Sequence, residues 1–369
     1  MAGSLFGFGP AGRTILTGNS LGLADYVAPA PPNALATTLL TGALTYSQNF
    51  LSGPPPFAPS LLSSALTNPS PNSFVWAYVR KRFTQFLVNL TLTDQQLEAG
   101  KMSQAKVRAS LNRHYWGLSS ETANSLLIGS WAKHTRIRPP RDIDILFLLP
   151  NSIFWNYEMR VGNRQSQLLS EVKDALLSIY PNTKLRQDGQ VVIVPFDKMP
   201  IEISIGFRCS NNSIMVCNTN NGGSYITSTA EAEVADINAW DVLFKGNVRA
   251  LIRMMKTWQR EKNVALKSFV LERLAVEFMK EWSYHNNDVF YYDWMVRDFF
   301  AYLLRRGGGL VVMPVTGEIV PLGDDWMSPA TTAYRYAMQA CEYERDSYES
   351  LAGEEWQKIF GSAVPQFVS

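Results

Sequence analysis

Two aspartates, Asp142 and Asp144, are separated by a single residue at the start of the apolar run "DIDILFLL". Alternate residues of a β-strand point to the same side, so both carboxylates would lie on one face, with Ile143, Ile145 and Phe147 on the other. Two neighbouring negative charges repel each other, and an apolar strand has no structural use for them unless a cation lies between. Such oxygen ligands suit Mg²⁺ together with substrate phosphates. The spacing therefore predicts a metal site.

A third acid comes from the segment "IEISI", where alternation places Glu202 and Ser204 on one face of a strand and three isoleucines on the other. Three carboxylates can hold two ions, Mg²⁺ or Mn²⁺. One ion lowers the pKa of an attacking hydroxyl, and the other steadies a triphosphate and its leaving pyrophosphate. We therefore predict Asp142, Asp144 and Glu202 as metal-binding and catalytic residues, with Glu202 on the hydroxyl side, where it helps to orient the nucleophile.

The dipeptide Gly129-Ser130 precedes the aspartates and is predicted to form a turn that opens toward them. Glycine lets backbone amides approach phosphate oxygens closely, and the Ser130 hydroxyl adds a donor. Both residues are therefore predicted to bind the nucleotide. A Gly-Ser turn and a D-x-D pair are each weak signals alone, but the turn, the fixed gap and a later acid on another strand are much stronger together.

The elements that would position these groups form a helix-flanked mixed sheet followed by a helical region, an α+β fold. Strands are predicted for "DIDILFLL", "QVVIVPF" and "IEISI", with the helix "RQSQLLSEVKDALLSIY" between the first two. Helices are also predicted at "SFVWAYVRKRFTQFLVNL", at "SQAKVRASLNRHYW" and almost throughout the chain after Ala230. We predict a catalytic domain at residues 73–230 and a helical domain at residues 231–369 that closes over the nucleotide cleft.

Residues 1–72 differ from the rest of the chain, because they contain ten of the 20 prolines and only two charged side chains, Arg13 and Asp25. Proline lacks an amide donor and fixes φ, so this segment is interpreted as a proline-rich, flexible arm. It has no basic region of the kind that begins a secretion signal, and no apolar stretch is long enough to span a membrane. We expect a cytoplasmic protein.

Composition limits the partners of the protein. A hydrophobic fraction of 46% with 18% charged residues is typical of a globular protein, and a net charge of +2 supplies no overall field for nucleic acid. Binding of phosphates must then come from local clusters of Lys and Arg. The three cysteines and three histidines show no zinc spacing, which leaves zinc chemistry without sequence support.

The pattern "GS", then "DID" on a strand, then "IEISIGF" resembles the polymerase-beta-like nucleotidyltransferase superfamily. More specifically, "GSWAKHTRIRPPRDIDILF" is similar to the motif of the bacterial cGAS/DncV-like nucleotidyltransferases (CD-NTases) and their oligoadenylate-synthase-like relatives. Further matches are "NTNNGGSYI", "RALIRMMKTWQ", "LKSFVLE" and "EEWQKIFG". The resemblance spans roughly Ser73 to Gly361 and leaves the proline-rich arm uncovered. Glu202 stands where many relatives have aspartate, which bears on the geometry of the site more than on activity.

The resemblance implies nucleotide-binding roles for three residues of the helical region. Lys256 and Ser268 match the pair that grips the donor triphosphate in related enzymes, and Phe269 matches a position where an aromatic ring stacks on the base. From the residues alone, Lys256 would belong to a solvated basic face of its helix, and Phe269 would equally serve as a core residue. The remaining members of that basic face are Arg249, Arg253 and Arg260.

The resemblance implies a polymerase-beta-like nucleotidyltransferase fold and an enzyme that joins nucleoside triphosphates, ATP favoured, into a cyclic oligonucleotide second messenger with release of pyrophosphate. In bacterial relatives such messengers activate a downstream effector during phage defence. Two alternatives use the same acids: a linear 2′-5′ oligonucleotide synthase, and a transferase that adds nucleotides to RNA or protein. A non-catalytic binding module is a further alternative, which the presence of all three acids disfavours. A regulatory protein partner is open, nucleic-acid binding is undecided, and no membrane partner is expected.

Overall fold

A mixed sheet and a set of long helices make up residues 76–197, 199–314 and 316–368, the part of the chain that the computed structural model describes. The predicted arm at residues 1–72 and the start of the first predicted helix, including Phe74, lie outside these residues. Apart from the segment 208–214, the described residues belong to one compact unit. In the segment 208–214 the chain reverses, and the Cys209 amide donates to the Ser213 carbonyl over 2.9 Å.

Two helices precede the sheet, α1 (Val79–Leu90) and α2 (Asp94–Trp116). The second was predicted only from Ser103 onward, and it begins nine residues earlier because Thr93 and Gln96 form a capping box. The Gln96 amide donates to Thr93 Oγ1 over 3.2 Å, and the Thr93 amide donates to Gln96 Oε1 over 3.0 Å. Two of the orphan amides at the helix start are thereby satisfied, which fixes its first turn.

The sheet is built from seven strands, with short helical connections between them. In chain order the elements are β1 (Ser125–Leu127), α3 (Gly129–Ala132), β2 (Ile143–Leu148), α4 (Asn151–Glu158), α5 (Arg164–Ile179), β3 (Arg186–Asp188), β4 (Val191–Val194), β5 (Ile201–Arg208), β6 (Ile214–Asn218) and β7 (Ser224–Thr227). The order across the sheet is β1-β2-β5-β4-β3, and β6 pairs with both β5 and β7. The three predicted strands correspond to β2, β4 and β5, and the helix predicted between the first two is α5. The α+β prediction is confirmed.

The centre of the sheet is the parallel pair of β2 and β5. Four of the five residues Ile143–Phe147 are buried, and in β5 every apolar residue from Ile201 to Phe207 is buried. Strands buried on both faces are usual for parallel pairs, because helices cover them on either side. The alternation predicted for "IEISI" is present, since Glu202 and Ser204 are partly exposed between three buried isoleucines.

The chain after Thr227 is mostly helical, as predicted, but it also contains a β-hairpin. The helices are α6 (Ala230–Leu243), α7 (Asn247–Glu261), α8 (Ser268–Glu281), α9 (Tyr292–Leu304), α10 (Met327–Arg345) and α11 (Glu349–Phe360). Between α9 and α10, strands β8 (Leu310–Val312) and β9 (Ile319–Pro321) form an antiparallel pair. The helical state is interrupted between α10 and α11, where Ser347 has a φ of 61° that a helix does not tolerate.

A large apolar core lies among these C-terminal helices, and α1 belongs to it. Val79, Phe83, Phe86 and Leu90 of α1 are fully buried there. The fully buried Arg82 of the same helix pairs with Glu344 over 2.6 Å and donates to the carbonyls of Pro365 and Gln366. The division at residue 230 remains a prediction. None of the helices in the described residues is long and apolar enough to cross a membrane.

Candidate active site

The two predicted acidic strands lie side by side, and their acids are in register. Asp144 of β2 is the direct partner of Glu202 of β5 in the parallel pair. Asp142 immediately precedes β2, and its backbone carbonyl accepts a hydrogen bond of 3.0 Å from the indole of Trp131. The sheet therefore brings the three predicted acids to one place, at the beginning of two neighbouring strands.

The carboxylates at this place repel one another. Burial, followed by the charges of Asp142 and Glu202, raises the pKa of Asp144 to about 7. Burial also raises the pKa of Glu202, and the charges of Asp142 and Asp188 add to that effect. Asp188, at the end of β3, is a fourth acid that the sequence patterns did not identify. An acid whose ionised form is disfavoured by burial and by like charge marks a functional site.

These residues fit a divalent cation in their chemistry. Hard cations take carboxylate oxygens, and a cation would relieve the repulsion that raises the pKa of Asp144. In the described part of the chain, no three Asp, Glu, His or Cys side chains already converge as a preformed metal cage. The fit of these residues to a divalent cation therefore rests on the register of Asp144 with Glu202 and on the negative charge that each of them carries when ionised. The side chains would have to draw together around an ion.

The predicted Gly-Ser turn is a single turn of helix, α3, and Gly129 touches the acids. Gly129 has a φ of 58°, and a Cβ at this position would overlap Oδ2 of Asp144. Only glycine meets both demands, because it adopts positive φ freely and has no side chain. The Ile128 amide donates to the Asp144 carbonyl over 3.0 Å, which holds the start of α3 against β2. Ser130 follows as the next residue of α3.

Lys256 lies in a buried ionic network. Its ammonium group pairs with Glu272 Oε1 over 2.5 Å and donates to Thr135 Oγ1 over 2.9 Å. Lys133, which follows α3, pairs with the other oxygen of Glu272 over 3.1 Å and with Glu233 over 2.7 Å. We call Lys133, Thr135, Glu233, Lys256 and Glu272 the lysine network.

The lysine network acts on Asp144 through its charges. The positive charges of Lys133 and Lys256 both favour the ionised form of Asp144, against the effect of burial. Burial alone would raise the pKa of Glu272, but Lys256 and Lys133 hold that pKa below its ordinary value. Burial would likewise lower the pKa of Lys133, and Glu272 and Glu233 raise it. The network therefore favours the charged form of Lys133 in the electrostatic field of the acids.

The other two residues implied by the resemblance lie at the start of α8. Ser268 Oγ donates to Gln259 Oε1 over 3.0 Å. Phe269 is 36% exposed, so it is not a core residue. Its ring lines a pocket of about 210 Å³, together with Thr229, Glu233, Met313, Pro314, Thr316 and Glu318. Because Glu233 also binds Lys133, this pocket is joined to the lysine network.

The solvated basic face predicted for α7 is wrong. Arg249 pairs with Asp241 over 2.6 Å and donates to the Lys133 carbonyl over 2.8 Å. Arg253 donates to the Leu87 carbonyl over 2.9 Å, and Arg260 donates to the Arg138 carbonyl over 3.0 Å. These arginines join α7 to α1 and to the loop after α3. Their charged groups are bound by protein, although the side chains of Arg249 and Arg260 are still 22% and 27% exposed.

Lys133, Thr135, Glu233 and Glu272 were missed as site residues. Lys133 and Thr135 lie inside the motif "GSWAKHT", and Glu272 lies inside "LKSFVLE". Their positions in these two motifs were the signal that could have identified them as site residues. Nothing local indicates that they meet, because Lys133 and Glu272 are 139 residues apart in the sequence.

Comparisons with known proteins bear on the family and the fold. Residues 78–240 match the family model of the Second Messenger Oligonucleotide or Dinucleotide Synthetase domain. Among solved structures, the chain is similar to Vibrio cholerae DncV cyclic AMP-GMP synthase in complex with the linear intermediate 5′ pppA(3′,5′)pG. The identity is 15% and the TM-score 0.61, over 79% of this chain and 97% of DncV.

A second similar structure is that of E. coli MS115-1 CdnC with ATP. Here the identity is 19% and the TM-score 0.54, over 77% of this chain and 98% of CdnC. CdnC in its complex with HORMA-deltaN has a TM-score of 0.56 at 17% identity. No curated protein sequence matches the chain. Residues 78–240 thus form a second messenger oligonucleotide or dinucleotide synthetase domain, a nucleotidyltransferase domain of the bacterial cGAS/DncV-like type.

Proposed function

We propose that the protein joins nucleoside triphosphates, ATP among them, into a cyclic oligonucleotide messenger with release of pyrophosphate, and that the reaction depends on Mg²⁺ or Mn²⁺. The observation that carries this proposal is the register of Asp144 with Glu202 on adjacent parallel strands, with Asp142 at the edge of the same pair. Like charges held together in a partly buried position are suited to divalent cations and to the phosphates that accompany them.

Asp142, Asp144 and Glu202 would hold two divalent ions. When bound, these ions would lower the pKa of the attacking hydroxyl and neutralise charge on the triphosphate. Gly129 leaves room for the Asp144 carboxylate, and its own amide and the Ser130 hydroxyl are available to phosphate oxygens. Lys256 and Ser268 bind the triphosphate, and Phe269 stacks on a base in the pocket that it lines.

The proposal extends to the partners of the enzyme. DncV was solved with a linear dinucleotide intermediate, and CdnC was solved in complex with HORMA-deltaN. By analogy, this enzyme would pass through a linear intermediate, respond to a regulatory protein partner and act on a downstream effector through its product, in defence against phage. A cytoplasmic location fits such a role.

The test is incubation of the purified protein with all four ribonucleoside triphosphates and Mg²⁺ or Mn²⁺, followed by phosphatase treatment and mass spectrometry. A double variant with Asp142→Asn and Asp144→Asn sets the baseline. Phosphatase-resistant product that lacks terminal phosphates and is absent from the double variant supports a cyclase. Product that phosphatase trims indicates linear synthesis instead, and transfer of labelled nucleotide to added RNA or protein indicates the second alternative.

A further inference from the structure

Two lysines of the lysine network have nearly the same surroundings. Lys133 and Lys256 bind the two oxygens of one carboxylate, Glu272, over 3.1 and 2.5 Å. Their side chains are exposed to similar extents, 8% and 11%. A carboxylate held between two ammonium groups places those groups side by side, although the two residues come from distant parts of the chain.

Each of these lysines has one donor left for a ligand. An ammonium group has three N–H donors. In the described residues Lys133 uses two of them, on Glu233 and Glu272, and Lys256 uses two, on Thr135 and Glu272. Within the described residues the third donor of each has no recorded acceptor, so a phosphate oxygen can bind it.

The backbone places Lys133 close to the acids. Its amide donates to the Gly129 carbonyl over 3.1 Å, so Lys133 follows one turn after the glycine that touches Asp144. Its charge acts on Asp144 just as that of Lys256 does. A triphosphate bound at the acids through Lys256 would therefore also lie in the field of Lys133.

The number of charged groups in the network argues against a purely structural role for Lys133. The fully buried pair of Arg82 and Glu344 shows that one cation is enough to accompany a buried carboxylate in this protein. Glu272 has two, and the second of them needs Glu233, a partly exposed acid, as a further partner. Placing an ammonium group in a buried site costs desolvation free energy. Glu272 and Glu233 offset that cost for Lys133 in the ligand-free protein, so its positive charge is maintained and can act on an anionic ligand.

We propose that Lys133 is a second triphosphate-binding residue, next to Lys256. The proposal rests on the proposed function, because it assigns a further residue to the same nucleotide site. Lysine binds phosphate as a compact point charge, and two such charges suit a triphosphate, which carries several negative charges, better than a monophosphate, which carries fewer. Removal of Lys133 is therefore expected to weaken triphosphate binding selectively.

The experiment compares binding of α,β-methylene-ATP and of AMP, each with Mg²⁺, by isothermal titration calorimetry. Loss of one charge-assisted contact in Lys133→Gln is expected to raise the Kd of the triphosphate analogue about tenfold and to leave the Kd of AMP within about twofold. Lys101→Gln is the control, because Lys101 is an exposed lysine whose loss changes the net charge equally. This control should bind both ligands as the wild type does.

A second variant covers the case in which Lys133→Gln does not fold. Lys133→Gln combined with Glu233→Gln removes a cation and an acid together, so that neither is left buried without a partner. The same rise in the ratio of the two Kd values is expected. A folded variant of either kind that binds the analogue with the wild-type Kd overturns the proposal. If that result is obtained while the wild type makes cyclic product, only the role of Lys133 is overturned and the proposed function stands. A wild type that neither binds the analogue nor makes product overturns the role of Lys133 and the proposed function together.

Discussion

The Asp144 carboxylate occupies the space that a side chain at residue 129 would need. Gly129 combines a φ of 58° with a Cβ direction that runs into Oδ2 of Asp144. Glycine is thus required at residue 129 for two reasons: the backbone has a positive φ, and the Asp144 carboxylate leaves no room for a Cβ. A side chain introduced at residue 129 would therefore have two effects, one on the stability of the backbone and one on the position of the Asp144 carboxylate.

We expect Gly129→Ala to reduce turnover by more than about a hundredfold, because the methyl group displaces the Asp144 carboxylate. The positive φ should cost about 1–2 kcal/mol of stability. Gly117→Ala is the matched control, since Gly117 has a φ of 63° at the end of α2 and nothing lies within 4 Å of its Cβ position. Equal thermal destabilisation of both variants, with activity lost only at residue 129, would support this account; equal activities would contradict it.

Asp144→Asn should stabilise the metal-free protein at pH 8. The pKa of Asp144 is about 7 in the folded chain, against an ordinary value of 3.8, so the folded state holds this proton more tightly than the unfolded state does. Stability contributed by Asp144 is therefore lost as pH rises from about 4 to about 7. The gap corresponds to at most about 4 kcal/mol, reduced by solvent screening.

The measurement is the Tm in EDTA at pH 8 and pH 5, with Asp174→Asn as the control because Asp174 is 68% exposed. The stabilisation by Asp144→Asn should be several degrees at pH 8 and clearly smaller at pH 5. Added Mg²⁺ should raise the Tm of the wild type more than that of Asp144→Asn. A variant that is less stable than the wild type at pH 8 would show that the carboxylate is not under strain.

Glu272→Gln is expected to destabilise the protein by about 3–5 kcal/mol, because it leaves two buried ammonium groups without their shared partner. Glu98→Gln, in the exposed pair of Glu98 with Lys101, should cost less than about 1 kcal/mol. Urea unfolding followed by circular dichroism measures both. Similar midpoints for the two variants would mean that the network contributes little to folding.

Phe269→Ala should raise the KM for nucleotide about tenfold or more while lowering the Tm only slightly. Stacking of an aromatic ring on a base contributes about 1–3 kcal/mol, and this ring is already partly exposed. Phe278→Ala on the same helix is the contrast, since that ring is buried and its loss should cost about 3–5 kcal/mol of stability. An unchanged KM in Phe269→Ala would remove the pocket from the nucleotide site.

The strands and their acids were predictable because the signals are local. Alternation in "IEISI" and the apolar run after Asp142 lie within a few residues, and β5 and β2 have the predicted character. The adjacency of Asp144 and Glu202 could not be predicted from local sequence, because it depends on which strands become neighbours in the sheet. Strand order is a property of the whole sheet.

The errors have the same physical origin. The charges of α7 resembled a solvated face, yet Arg249 and Arg253 find partners on α6, on α1 and in the loop after α3. The hairpin of β8 and β9 was missed because three-residue strands are too short to show a period. Contacts between distant segments decide both cases, and no window of sequence contains them.

Arg82 has a consequence for proteolysis. This guanidinium near the start of the described chain donates to the carbonyls of Pro365 and Gln366, the latter 284 residues further along. A protease that trimmed the last residues would leave a buried guanidinium with fewer acceptors. Helix α1 would then loosen in response to a cut close to Pro365, although the two sites are far apart in the sequence.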